Sequence, residues 1–206
     1  MTIRRSAGLQ RLLDAMRDAI AARDVFPRGA KALADRSFEA LRRVAPASGE
    51  ASASRLPACD HLEEALAAAR AGPPSIARVA DAFAEVEATL PWKPRPNAEM
   101  SGRRFADNHA IAEILGPFGG LEPRGDVRLG VSLMAPQLQY PDHHHPPEEV
   151  YLALSRGEWR QEDGPWHEPG LGGLVYNQSN VVHAMRSGDT PMLTLWCLWT
   201  ADQPVA

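Results

Sequence analysis

The segment Tyr140-Pro-Asp-His-His-His-Pro-Pro-Glu-Glu-Val-Tyr151 places three histidines, two glutamates and two tyrosines within twelve residues. Imidazole nitrogens and carboxylate oxygens are ligands for first-row divalent metals, and phenols and imidazoles can move protons. Read at period two, His143, His145, Glu149 and Tyr151 carry odd numbers, while Val150, Leu152 and Leu154 carry even ones. A strand with that alternation shows ligand atoms on one face and an apolar surface on the other. His144 and Glu148 are out of phase and are expected to face away, Glu148 as a solvated charge. The bend imposed by Pro146 and Pro147 lets Glu149 complete a facial site with the two histidines. One ligand must then come from elsewhere. His183, at the end of Gly172-Gly-Leu-Val-Tyr-Asn-Gln-Ser-Asn-Val-Val-His183, can be brought back by a strand, a turn and a second short strand. The expected first shell is therefore His143, His145, Glu149 and His183 around one divalent transition metal. Three imidazoles and one carboxylate suit Fe, Zn, Mn, Co or Ni and do not select among them.

Tyr151 shares the face of the ligands. A phenol titrates near 10, and a divalent cation a few ångströms away favours its phenolate, which makes Tyr151 a candidate base; filling the interior is its other reading. Tyr140 has the opposite parity, but the turn at Pro141 can reset the phase.

These two segments resemble the two cupin motifs. His143, His145 and Glu149 match the first, with Gln137 in place of its opening glycine and Gly157 one residue late; Gly172 and His183 match the second, with Gln178, Asn180 and Ser187 at its Pro, Gly and Asn positions. The extended signature, with Tyr140 ahead of the histidines and Glu149-Val-Tyr151 after them, looks like the cupin-type dimethylsulfoniopropionate (DMSP) lyases, in particular their DddQ group. The resemblance runs from Leu90-Pro-Trp-Lys to the C-terminus, and the first half matches only in length and helical character. It implies a metal-dependent β-elimination that splits DMSP into dimethyl sulfide and acrylate, with Tyr151 as base and Tyr140 orienting the substrate or serving as alternative base. A sulfonium substrate is an organic cation suited to an aromatic face. Trp196 and Trp199 point to opposite sides of their strand, and Trp196 is the one assigned to the substrate. The substrate carboxylate would meet the metal or a cation such as Arg95, Lys93 or Arg104. Two other readings use the same ligands: another metal-cupin enzyme, such as a dioxygenase or isomerase, which has no need of Tyr151 as a base, and a non-catalytic cupin that binds a small ligand.

The elements that must position these residues fall into two groups. Leu9, Leu12, Leu13, Met16 and Ile20 recur at helical spacing between Ser6 and Ala22. A second helix is expected from Ala30 to Arg43 with Leu33, Phe38 and Leu41 buried, then a loop from Ala47 to Ala53. Asp60 can cap a third helix carrying Leu62 and Leu66, and Ser75 a fourth carrying Ile76, Val79, Phe83, Val86 and Leu90. Three prolines between Pro91 and Pro96 stop helix formation and mark the expected boundary between a helical region, residues 1–90, and a cupin region, residues 91–206. Residues 105–115 read equally as helix or strand. Beyond them, Val127, Leu129, Val131 and Leu133 alternate with polar or small residues, and short strands follow around Val150, Trp159, Val175 and Val182 and from Met192 to Thr200. The expected class is mainly β with a helical N-terminal extension (α+β), the β part being a cupin antiparallel β-barrel or jelly roll. The helices are expected to cover the barrel exterior or a second copy in a homodimer.

Composition excludes several functions. Over 206 residues the net charge is −4 and no Lys/Arg cluster tracks a phosphate backbone, so no nucleic acid partner is expected. Cys59 and Cys197 are the only cysteines, which supports neither a disulfide framework nor a thiolate zinc site. The N-terminus has no apolar signal region and no long apolar run follows, so no membrane partner is expected and a cytoplasmic protein is.

Overall fold

The computed structural model describes residues 5–45, 52–96, 98–118 and 120–202. Most of the expected loop from Ala47 to Ala53 lies outside the described residues. Helices come first: α1 (Ala7–Ala21), α2 (Ala30–Leu41), a 3-10 turn (Pro57–His61), α3 (Leu62–Arg70) and α4 (Pro74–Glu87). Ser6 caps α1 by accepting from the Leu9 amide. The other expected caps are corrected. Asp60 lies inside the 3-10 turn that leads into α3, and α3 has no side-chain cap. Helix α4 starts at Pro74, whose fixed φ suits a first helical position, so Ser75 is already inside it. Helix α2 stops at Leu41, two residues before the expected end, and Phe38 is only half-buried. Leu90 is buried but lies beyond the end of α4.

The ambiguous stretch 105–115 is both things in turn: α5 (Arg103–Asn108) hands over at His109 to β1 (His109–Leu115). The remaining strands are β2 (Val127–Met134), β3 (Gln139–His143), β4 (Glu149–Ala153), β5 (Glu158–Gln161), β6 (Leu174–Asn177), β7 (His183–Arg186) and β8 (Met192–Trp199). They form a five-stranded sheet in the order β1-β2-β8-β4-β6 and a three-stranded sheet in the order β3-β7-β5, with every pairing antiparallel. Among the described residues no ladder joins the two sheets, so the β part is an open two-sheet jelly roll and not a closed barrel. One expectation fails here: the segment from His143 to Tyr151 is not a single strand. The chain leaves the small sheet after His143, turns through the two prolines and enters the large sheet at Glu149.

Strand alternation splits the core in two. Leu129, Val131, Leu133, Val150, Leu152, Leu193 and Leu195 face outward from the large sheet and share one core with Leu12, Leu33, Leu62, Leu66, Ile76 and Phe83 of the helices. The opposite face, with Tyr151, Val175, Trp196 and Leu198, meets Tyr140, Trp159 and Met185 of the small sheet. The layers are thus helices, large sheet and small sheet, and the chemistry-bearing residues lie between the last two. This layering sets an expectation for truncation. Each buried aliphatic or aromatic side chain contributes about 1.5–3 kcal/mol, against a net domain stability of about 5–15 kcal/mol. Deletion of residues 1–90 strips the outward face of the large sheet and is expected to give insoluble or unfolded protein, read by soluble yield and circular dichroism. A soluble fragment with a cooperative thermal transition would show the helical layer to be dispensable.

Candidate metal centre and active site

The sheets and the turn between them deliver the ligands. His143, the last residue of β3, sits opposite His183, the first of β7. His145 lies in the turn, and Glu149 opens β4 on the facing sheet. The ring centroids of His143 and His183 are 4.1 Å apart, those of His145 and His183 5.1 Å, and ligand nitrogens of the three rings fall within 4.8 Å of one another. Glu149 Oε2 lies 3.3 Å from Nε2 of both His145 and His183.

The backbone decides which nitrogen each ring offers. Nδ1 of His143 lies 3.0 Å from the Pro141 carbonyl, Nδ1 of His145 2.9 Å from that of Pro147, and Nδ1 of His183 3.0 Å from that of Val181. A carbonyl can only accept, so each Nδ1 holds a proton and each ring turns its Nε2 toward the others. Burial, with the charge of His183 next, pushes His143 down to about 4, so that ring is neutral at pH 7. Burial alone would raise the Glu149 carboxyl, but its contacts with His145 and His183 outweigh that and hold it well below the usual carboxylate range. His183 Nε2 is buried, and among the described residues it makes no contact of hydrogen-bond geometry, its 3.3 Å approach to Glu149 Oε2 included. Converging lone pairs and a carboxylate repel one another unless a cation lies among them, and the donor set fits a divalent transition metal.

The tyrosines lie beside this cluster. The β3–β7 ladder is irregular between Tyr140 and His143, and that irregularity is what puts Tyr140 on the same side as His143 despite its parity. The two rings are 4.5 Å apart. Tyr151, on β4, has its ring 6.5 Å from that of His183 and 6.1 Å from that of Trp159. Burial first, then the Glu149 carboxylate, pushes the Tyr151 phenol well above its usual value. Burial also raises Tyr140, opposed by the charge of Arg95.

Trp196 pairs with Tyr151 across β4 and β8 and points between the sheets, whereas Trp199 points out under Arg36. Gly130 makes the room: a Cβ there would run into the Trp196 ring. Arg128, paired with Glu113 at 2.9 Å, lies over the Trp196 ring at 5.7 Å. Trp159 is equally part of the inner cluster and Trp166 is not. Of the three cations named for a substrate carboxylate, Arg95 stands at the site, 4.9 Å over the Tyr140 ring. Arg104 donates to the Gln137 carbonyl and Lys93 to that of Phe118. His144, in the turn after β3, is exposed, as expected. Glu148 corrects the expectation of a solvated charge: it is half-buried and holds both Arg36 and the Tyr176 hydroxyl.

Sequence reasoning missed three residues. His109 is fully buried, bonded through Nε2 to Ser132 Oγ at 2.9 Å and packed 4.9 Å from Tyr140. Burial, then Arg95, pushes it down to about 3, so it is a neutral ring behind Tyr140. A lone histidine at a helix–strand junction carries no spacing signal. Asn177 donates to Glu149 Oε2 at 2.9 Å, and Gln161 donates to Asn177 Oδ1 at 2.7 Å. Both lie on strands, but only the fold shows what they face. A cavity of about 860 Å³ between α1 and α2, lined by Arg17, Lys31 and Phe38 among others, is remote from the histidines and has none of their chemistry. Among the described residues no helix is long and apolar enough to cross a membrane.

Comparison with known proteins shows the family to which the chain belongs. The family model for dimethylsulfoniopropionate lyase matches residues 30–194. The dimethylsulfoniopropionate lyase DddQ of Ruegeria pomeroyi is 32% identical over 131 residues, covering 63% of this chain and 64% of that protein. A DddL relative from Cereibacter sphaeroides is 31% identical over 148 residues, 71% of this chain and 60% of the relative. The matched stretches thus span less than two thirds of these curated relatives. The crystal structure of the DMSP lyase DddQ from Ruegeria pomeroyi DSS-3 superposes with a TM-score of 0.70 at 25% identity, covering 96% of this chain and 94% of that one. With most of its length matched by the family model and its fold shared with DddQ, the chain belongs to the dimethylsulfoniopropionate lyase family.

Proposed function

We propose that this protein is a carbon–sulfur lyase that cleaves DMSP into dimethyl sulfide and acrylate by base-catalysed β-elimination. The observation that carries the proposal is the convergence of three Nδ1-anchored histidines and the Glu149 carboxylate beside two buried tyrosines. His143, His145, Glu149 and His183 would hold one divalent transition metal, drawn from Fe, Zn, Mn, Co and Ni. When bound, such a cation supplies Lewis-acid stabilisation of the charge that builds beside the substrate carboxylate and favours the Tyr151 phenolate.

The remaining work belongs to the protein. As the phenolate, Tyr151 Oη would take the proton from the carbon next to the carboxylate, the freed electron pair forming the carbon–carbon double bond as the carbon–sulfur bond breaks and neutral dimethyl sulfide departs. The leaving group needs no acid. Tyr140, held between His109 and Arg95, orients the substrate or serves as the alternative base. Trp196 offers an aromatic face to the sulfonium. Within this division residues 91–206 carry the chemistry, and residues 1–90 cover the outer face of the large sheet. Two free, buried thiols, Cys59 and Cys197, suit a reducing cytoplasm.

Incubation of the metal-loaded protein with DMSP should release dimethyl sulfide into the headspace and leave acrylate in solution in equal amounts. Loaded protein that yields neither product would refute the lyase reading. Consumption of dioxygen in place of dimethyl sulfide release would favour the oxygenase reading, for which Tyr151 is not needed as a base.

A further inference from the structure

Glu149 and His183 belong to different sheets, so a site that uses both needs something to fix the gap between them. Gln161 lies opposite His183 in the β5–β7 ladder of the small sheet, and Asn177 lies opposite Glu149 in the β4–β6 ladder of the large one. Their side chains meet across the gap: Gln161 Nε2 donates to Asn177 Oδ1 at 2.7 Å and to the Tyr176 carbonyl at 2.5 Å, and Asn177 Nδ2 donates to Glu149 Oε2 at 2.9 Å. Asn177 is fully buried.

The polarity of this chain is dictated by its far end. The Tyr176 carbonyl can only accept, so the Gln161 atom facing it is the NH2 group. That group also faces Asn177 and therefore requires the Asn177 oxygen there. The Asn177 NH2 is left to face Glu149, which must present an acceptor. A backbone carbonyl thus sets, through two amides, the orientation of a carboxylate that stands among three imidazoles. We infer that Gln161 and Asn177 are positioning residues for the metal centre, fixing both the direction of the Glu149 carboxylate and the separation of the two sheets at the site. This role presupposes that the histidine cluster binds a metal.

The test is metal affinity, measured for Co(II) and Zn(II) by competition with a chelating indicator, alongside the thermal midpoint of each metal-free protein. Outer partners of metal ligands typically contribute about 10–100-fold to affinity. Asn177→Leu is expected to weaken binding by that amount. Gln161 is half-buried on an edge strand of the small sheet, and two variants there separate orientation from mere support. Gln161→Met removes the clamp and leaves Asn177 free to keep its orientation. Gln161→Glu accepts from Asn177 Nδ2, turns that amide over and sets its oxygen against Glu149.

The inference therefore requires Gln161→Glu to bind metal more weakly than Gln161→Met, with the difference absent from the metal-free thermal midpoints. A purely supportive role predicts equal affinities, or losses that track thermal stability, and either result would overturn the inference. Wild-type protein that binds neither ion would instead overturn the metal-site reading itself.

Discussion

His183→Ala is expected to abolish stoichiometric metal, measured by elemental analysis of the purified protein, and to abolish dimethyl sulfide release with it. His183 is the only expected ligand from outside the first motif, and it is almost fully buried with its Nε2 3.3 Å from Glu149 Oε2. Losing a partner that merely orients a ligand typically costs about 10–100-fold in metal affinity. Losing a direct ligand of four should cost more than about 100-fold, enough to empty the site during purification. His144→Ala is the matched control, since that ring is exposed. It should keep both metal and activity. Full metal retention in His183→Ala would remove this residue from the first shell and leave the three groups of the first motif to be completed by another donor.

What could be read from the chain before folding follows from how far each signal reaches. The His143, His145 and Glu149 spacing is local, and His183 is tied to it by a short strand–turn–strand segment, so the cluster was legible. The helical stripes of α1 and α4 were legible for the same reason, because period 3.6 persists over 15 and 14 residues. Parity failed where the chain changes sheets. Extending one phase from His143 to Glu149 assumes one strand, whereas two prolines separate strands in different layers. Tyr140 came to the site only through an irregularity in pairing that no sequence period encodes. The expected caps at Asp60 and Ser75 lost to a 3-10 turn and to a proline start. His109, Gln161 and Asn177 are invisible in sequence because their roles lie in what crosses the gap between the sheets.

Tyr151→Phe is the second large effect. The substitution deletes one oxygen and keeps the ring that packs against Trp159, so folding and metal content should persist. Turnover should fall by about two to four orders of magnitude, the usual worth of a positioned general base. The protein's own groups make the assignment demanding: burial and the Glu149 carboxylate both disfavour the Tyr151 phenolate, so this residue can act as a base only where a nearby positive charge opposes them. Tyr140 stands in a different field, with the Arg95 guanidinium over its ring countering its burial. The two tyrosines are therefore separable by paired variants. If Tyr151 is the base, Tyr151→Phe lowers kcat with KM little changed, and Tyr140→Phe acts more on KM, as loss of an orienting contact does. Solvent deuterium uptake into unreacted DMSP, if proton transfer is reversible, should vanish in Tyr151→Phe and survive in Tyr140→Phe. A Tyr151→Phe protein with near-normal kcat and full metal, together with a large kcat loss in Tyr140→Phe, would move the base to Tyr140.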